Sequence, residues 1–110
     1  MKQAEIWDVN FNPTKGREQR GIRPAVIISG NVMNDNSSLI IVCPLTSKVK
    51  NLRGNIILNP DKSNGLDSTS EVLTYHVKSI SKQRLNKRRG VISKSELELL
   101  IENLNKILIY

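Results

Sequence analysis

Pro13 to Ser29, PTKGREQRGIRPAVIIS, decides how this chain is read. Its polar part carries two glycines, four basic residues and one carboxylate, and Arg23-Pro24 then leads without a spacer into the apolar run Ala25-Val26-Ile27-Ile28. Such a pattern is a loop feeding a buried strand. Proline pushes the preceding residue into extended geometry, so Arg23 belongs at the strand's mouth, on the edge of a sheet or barrel. A guanidinium held there can face a phosphate. The plainer alternative is a pair with Glu18 inside the loop.

Outward from this stretch, the chain reads as short strands followed by one helix. Ile6 to Phe11 alternates apolar and polar residues, which suits a strand with one covered face, and Trp7 within it reads as a packing residue rather than a base-stacking one. After the turn-rich GNVMNDNSS, Leu39 to Pro44 (LIIVCP) is a second central strand. Thr46 and Ser47 close it, and Lys48, Lys50 and Arg53 follow in a basic loop. Asn55 to Leu58 is a further strand ended by Asn59-Pro60, and Glu71 to Thr74, Val77 to Ile80 and Arg89 to Ile92 are shorter candidates. The helix begins at Ser93-Lys94-Ser95-Glu96, a capping-box spacing, and Leu97, Leu100, Ile101, Leu104, Ile107 and Leu108 recur along it as one apolar stripe. Together these predict an α+β fold: a strongly bent sheet or small, partly open β-barrel with a C-terminal α-helix.

A chain of 110 residues has room for one core, and residues 1–110 are expected to form a single domain. With 38% apolar but only 4% aromatic residues, that core must be aliphatic. The net charge of +7 and pI near 9.9 favour a polyanionic partner. From Val72 through Ser95 no acidic residue interrupts Lys78, Lys82, Arg84, Lys87, Arg88 and Arg89, which is either a solvated face or a track for a phosphate backbone. Cys43, the single cysteine, lies in an apolar run and reads as a small buried hydrophobe. Neither a signal peptide nor a membrane-spanning segment is expected, which makes a cytoplasmic protein the default.

The chemistry that remains is narrow. His76 is the one imidazole, so a two-histidine nuclease and a Ser/His/Asp set have no material to work with. No metal-ligand spacing and no Walker-type glycine loop is present, and no cofactor is expected. Arg, Thr, Ser, Glu and one His can still act on RNA, whose ribose 2′-hydroxyl supplies its own nucleophile.

These residues also carry a family likeness. EIWDVNFNP followed by GREQRGIRPAVIIS resembles the amino-terminal signature of the MazF/PemK toxins: an acidic-Ile-Trp strand, then Gly16-x-Glu18-Gln19-x-Gly21-x-Arg23-Pro24 and an aliphatic strand. The likeness continues through PLTS and VKSISKQRL to the terminal helix, nearly the whole chain. It implies an SH3-like barrel of the plasmid-maintenance toxin type, a homodimer, and a metal-independent endoribonuclease. Such an enzyme cuts single-stranded RNA at short sequences to 2′,3′-cyclic phosphate and 5′-hydroxyl ends, and a cognate antitoxin holds it inactive. The family's catalytic pair falls on Arg23 and Thr46. Lys15, Glu18, Gln19, Ser47 and Tyr75 fall among RNA-contacting positions, with Tyr75 suited to stack a base. A guanidinium is suited to neutralise the phosphorane rather than to abstract a proton, and the Thr46 hydroxyl to hold a phosphate oxygen. Tyr75-His76 departs from the acidic-Gln pair usual at this place, leaving His76 as a surface or dimer-contact residue or as a general acid. Two other uses of the same barrel stay open: a gyrase-poisoning toxin like the CcdB relatives, and a non-catalytic RNA-binding module.

Overall fold

A computed structural model describes residues 1–12 and 21–109. Lys15, Glu18 and Gln19, and with them a pair between Arg23 and Glu18, lie outside the described residues.

Seven strands run β1 Glu5–Asn10, β2 Ile22–Ile27, β3 Leu39–Thr46, β4 Ile57–Leu58, β5 Ser70–Val72, β6 Lys78–Ser81 and β7 Leu85–Val91. A short helix α1, Asn31–Asn36, links β2 to β3, and α2, Lys94–Ile109, closes the described chain. All pairings are antiparallel, in the order β4-β5-β3-β2-β1-β7, with β6 also on β3. The result is a curled, SH3-like half-barrel with a C-terminal helix, the α+β arrangement expected from the pattern.

The core is aliphatic on both sides of the curl. Ile6, Val26, Cys43, Leu45, Leu58 and Val72 pack with Leu100 of α2, and Leu97 and Leu104 flank that contact. Val9, Ala25, Ile27, Ile40 and Val42 form a second cluster, against which Trp7 lies half-buried. Trp7 is thus a packing residue, its indole N–H donating to Glu5 Oε1 at 2.9 Å. Cys43 is fully buried, and burial pushes its thiol up to about 12, so it is an inert packing group. The capping box forms: the Glu96 amide donates to Ser93 Oγ at 3.1 Å while Glu96 Oε1 accepts from the Ser93 amide at 2.8 Å. Leu108, read as part of the apolar stripe, is 71% exposed.

Several elements differ from the sequence reading. GNVMNDNSS contains helix α1 rather than turn alone, because the buried Asn34 side chain donates to the Ser29 carbonyl and ties the turn to the sheet. Asn55 to Leu58 shortens to a two-residue strand, since the Asn55 amide group is drawn to Glu71 instead of lying along a ladder. Thr74 to His76 forms a 3-10 turn and not the end of a strand. The last strand begins at Leu85, four residues before Arg89, across a stretch that looks too polar for it. Its neighbour β1 explains this, since Arg88 pairs Glu5 and Arg89 pairs Asp8, both at 3.1 Å. Gly65 and Gly90 let the turn after Asn59 press onto β7: a Cβ at either would meet backbone oxygens at 2.1 to 2.2 Å. That close approach brings Leu66 and Asp67 to the edge of the site.

Candidate functional site

The site opens where two strands part. The β2–β3 ladder runs Ile27–Val42, Val26–Cys43, Ala25–Pro44 and ends there. Pro24 withholds the amide it would turn toward β3 at that point, while Pro44 gives its carbonyl to the Leu73 amide on the other side, so the pairing is not carried on normally. Extending the register by two residues beyond Ala25–Pro44 sets Arg23 across from Thr46. Beyond the last pair lies a cavity of about 380 Å³ lined by Arg23 and Pro24, by Thr46, Ser47 and Lys48, and by Asp67 and Arg89. Arg23 and Thr46, adjacent in neither sequence nor ladder, therefore share one wall-to-wall space.

Arg23 is half-buried and, among the described residues, has no ion pair. Thr46 is also half-buried, and its Oγ1 accepts from the Lys48 amide at 3.1 Å. With the oxygen so occupied, the hydroxyl proton is left to donate into the cavity. Arg89 is different: its guanidinium is shared between Asp8 at 3.1 Å and Asp67 at 3.4 Å. Its charge is largely spent before any ligand arrives. Ser47 and Lys48 are exposed on the rim.

A second cavity of about 270 Å³ lies on the other side of Thr46, lined by Lys48, Lys50, Leu52, Leu73, His76 and the buried Glu71. Thr46 and Lys48 border both spaces. The Glu71 carboxyl is held down at about 2, first by the Asn55 side-chain amide, against the opposing effect of burial, and then by the amides of Lys50, Leu52 and Asn51. Among the described residues no His, Cys, Asp and Glu gather into a group able to hold a metal ion. Among the described residues, the Lys and Arg side chains at these cavities without an ion pair are Arg23, Lys48 and Lys50.

Of the residues singled out in the sequence, the fold brings Arg23, Thr46 and Ser47 together. Tyr75 stands apart, 65% exposed on the 3-10 turn and lining neither cavity, while its neighbour His76 borders the second. Sequence reasoning missed Asp67 and Glu71, and it named Arg89 only within a basic run. Glu71 opens an EVLT segment that looks like an ordinary strand start, and nothing in its neighbours signals burial. Lys48 and Lys50 were visible as a basic loop but without a site to serve.

The sequence pattern of the PemK-like, MazF-like toxins of type II toxin-antitoxin systems matches residues 2–108. The endoribonuclease toxin MazF of Escherichia coli K12 is 32% identical over 104 residues, spanning 94% of this chain and 88% of that protein. The crystal structure of MazF from Deinococcus radiodurans superposes with a TM-score of 0.79 at 26% identity, covering 98% of this chain and 96% of the other. A mycobacterial endoribonuclease in complex with its cognate antitoxin shares the fold at 16% identity, with a TM-score of 0.77 over 98% of this chain and 92% of that one. No helix among the described residues is long and apolar enough to cross a membrane.

Proposed function

The chain belongs to the PemK-like, MazF-like toxins of type II toxin-antitoxin systems, and from that premise we propose that it is an endoribonuclease cutting single-stranded RNA at short sequences without a metal ion. The observation that carries this reading is one cavity lined by both Thr46 and an arginine, Arg23, that has no ion pair among the described residues. In the proposed reaction the ribose 2′-oxygen attacks the adjacent phosphorus and the P–O5′ bond breaks. The 2′-hydroxyl loses its proton, the leaving 5′-oxygen gains one, and the products are a 2′,3′-cyclic phosphate and a 5′-hydroxyl. Charge accumulates on the non-bridging oxygens of the phosphorane. Arg23, at the strand mouth and without an ion pair among the described residues, meets that charge, and Thr46 donates a hydrogen bond to one of the same oxygens.

Lys15, Glu18, Gln19, Ser47 and Tyr75 serve the RNA on either side of the scissile phosphate in this reading, the whole chain acting as one toxin domain in a cytoplasmic homodimer. A cognate antitoxin protein occludes the site. The test is incubation of the purified protein with a long RNA in EDTA, followed by mapping of the ends. Cuts at a recurring short sequence with 5′-hydroxyl termini are the expected result. Gyrase-dependent DNA breaks, or retention of RNA with no cutting, would replace it.

A further inference from the structure

Glu71 is the only fully buried carboxylate among the described residues, and the reaction above gives it no part. Its surroundings are built around it. Oε1 accepts from the amides of Lys50 at 2.8 Å and Asn51 at 2.9 Å, and Oε2 accepts from the Leu52 amide at 2.8 Å and the Asn55 side chain at 2.9 Å. Three successive backbone amides converge on one anion, a nest geometry, and Asn51 takes the left-handed conformation it requires, with φ of 56°. A surface loop has thus been wrapped around a charge supplied by a strand.

That strand position is not arbitrary. Glu71 is the ladder partner of Thr46 across β3 and β5. The same loop is gripped at two points: Thr46 Oγ1 takes the amide of residue 48, and Glu71 takes those of residues 50 to 52. Lys48 and Lys50 are each held by one of these grips through the backbone amide, and both are exposed and border the cavity behind Thr46. We propose that Glu71 is a positioning residue for RNA: its carboxylate holds the loop after β3 so that Lys48 and Lys50 stand beside Thr46 and engage the phosphates flanking the cut. This rests on the endoribonuclease reading and adds to it a residue that touches no substrate.

Glu71→Gln keeps the shape and removes the charge. One oxygen still accepts, while the amide nitrogen now faces N–H donors, so the grip on residues 50 to 52 fails. Binding is measured with an RNA oligonucleotide carrying a 2′-deoxyribose at the mapped cut, which is not cleaved. Relative to wild type, Glu71→Gln is expected to bind about tenfold more weakly. Its log affinity against log salt slope should be shallower by about 0.7 for each phosphate that the lysines no longer neutralise. Lys48→Ala should cost much less affinity in the Glu71→Gln background than in the wild type. Should Glu71→Gln fail to fold, Asn55→Ala, which removes one donor and leaves the carboxylate, is expected to move affinity and salt slope in the same direction by a smaller amount. A wild type that cuts RNA, beside a folded variant with unchanged affinity and salt slope, overturns the role of Glu71 alone. A wild type that cuts no RNA overturns the functional reading and this role with it.

Discussion

Strand β7 and the loop after β3 are both rich in lysine and arginine, and the fold uses them in opposite ways. Arg88 is paired with Glu5, Arg89 is divided between Asp8 and Asp67, and Arg84, just ahead of the strand, donates to the carbonyls of Asn10 and Asn12 at 3.0 and 2.8 Å. These arginines close the curl of the sheet by tying β7 and its approach to β1. Lys48 and Lys50 have no ion pair among the described residues, and neither has Arg23 across the cavity. In the densest run of positive charge in the sequence, the arginines are thus engaged in holding the fold together, two of them against carboxylates. The sparser set beside Thr46 is free of such pairs among the described residues and is the better placed for a polyanion at that cavity, because a cation already facing a carboxylate has little counterion to release.

The largest expected effect lies on the unpaired side. Arg23→Ala removes the charge proposed to meet the phosphorane and should lower the RNA cleavage rate by about 10²- to 10³-fold, corresponding to roughly 2.7–4 kcal/mol in the barrier. Its thermal midpoint should stay near the wild-type value, since Arg23 has no ion pair among the described residues. Thr46→Ala should cost about 1.5–3 kcal/mol of the same barrier, the worth of a hydrogen bond to a charged group. Thr46→Ser, keeping the hydroxyl, should recover most of it in the same single-turnover assay.

Acid separates the two regions by a different route. The folded Glu71 carboxyl sits at about 2 against an ordinary 4.5, so the folded state holds its proton less tightly than the unfolded chain. The stabilisation is complete above pH 4.5 and is lost as pH falls from there through 2. Lys48, Lys50 and His76 border the same cavity and offer no negative charge to replace that of a neutralised Glu71. Urea unfolding at about pH 5.5 and about pH 3 should therefore show a smaller loss for Glu71→Gln than for wild type. The smallest effect belongs to β7. Arg89→Ala removes a half-exposed pair and should lower stability by about 1 kcal/mol or less, with cleavage of the folded protein changed less than threefold.

The same contrast explains how much could be read in advance. Arg23 was legible because proline dictates the geometry before it and an aliphatic run follows directly. Thr46 closes the next such run, and antiparallel pairing of two central strands then nearly guarantees that their open ends meet. The terminal helix was legible from its capping box and apolar spacing, both of which are local. By contrast, β7 was hidden because residues 85–89 form a strand only when the carboxylates of β1 stand beside them. Glu71 was hidden for the same kind of reason: four donors that reach it come from residues 50–55, and no periodicity in the chain announces a loop folded around an anion. Tyr75, picked for stacking, sits on a 3-10 turn away from both cavities, since Leu73 and Thr74 leave the strand before it. Local rules located Arg23 and Thr46, which line one cavity, and only long-range pairing revealed the buried carboxylate beside them.

The most direct measurement takes one RNA with a mapped cut, in EDTA, beside the same RNA carrying a single 2′-deoxyribose at that position, each incubated with wild type and with folded Arg23→Ala. The expected outcome is a cyclic phosphate from the first RNA with wild type alone, and an intact second RNA throughout. Cutting at the deoxyribose, or full-rate cutting by the arginine variant, would contradict a cavity in which the substrate supplies the nucleophile and residue 23 the charge.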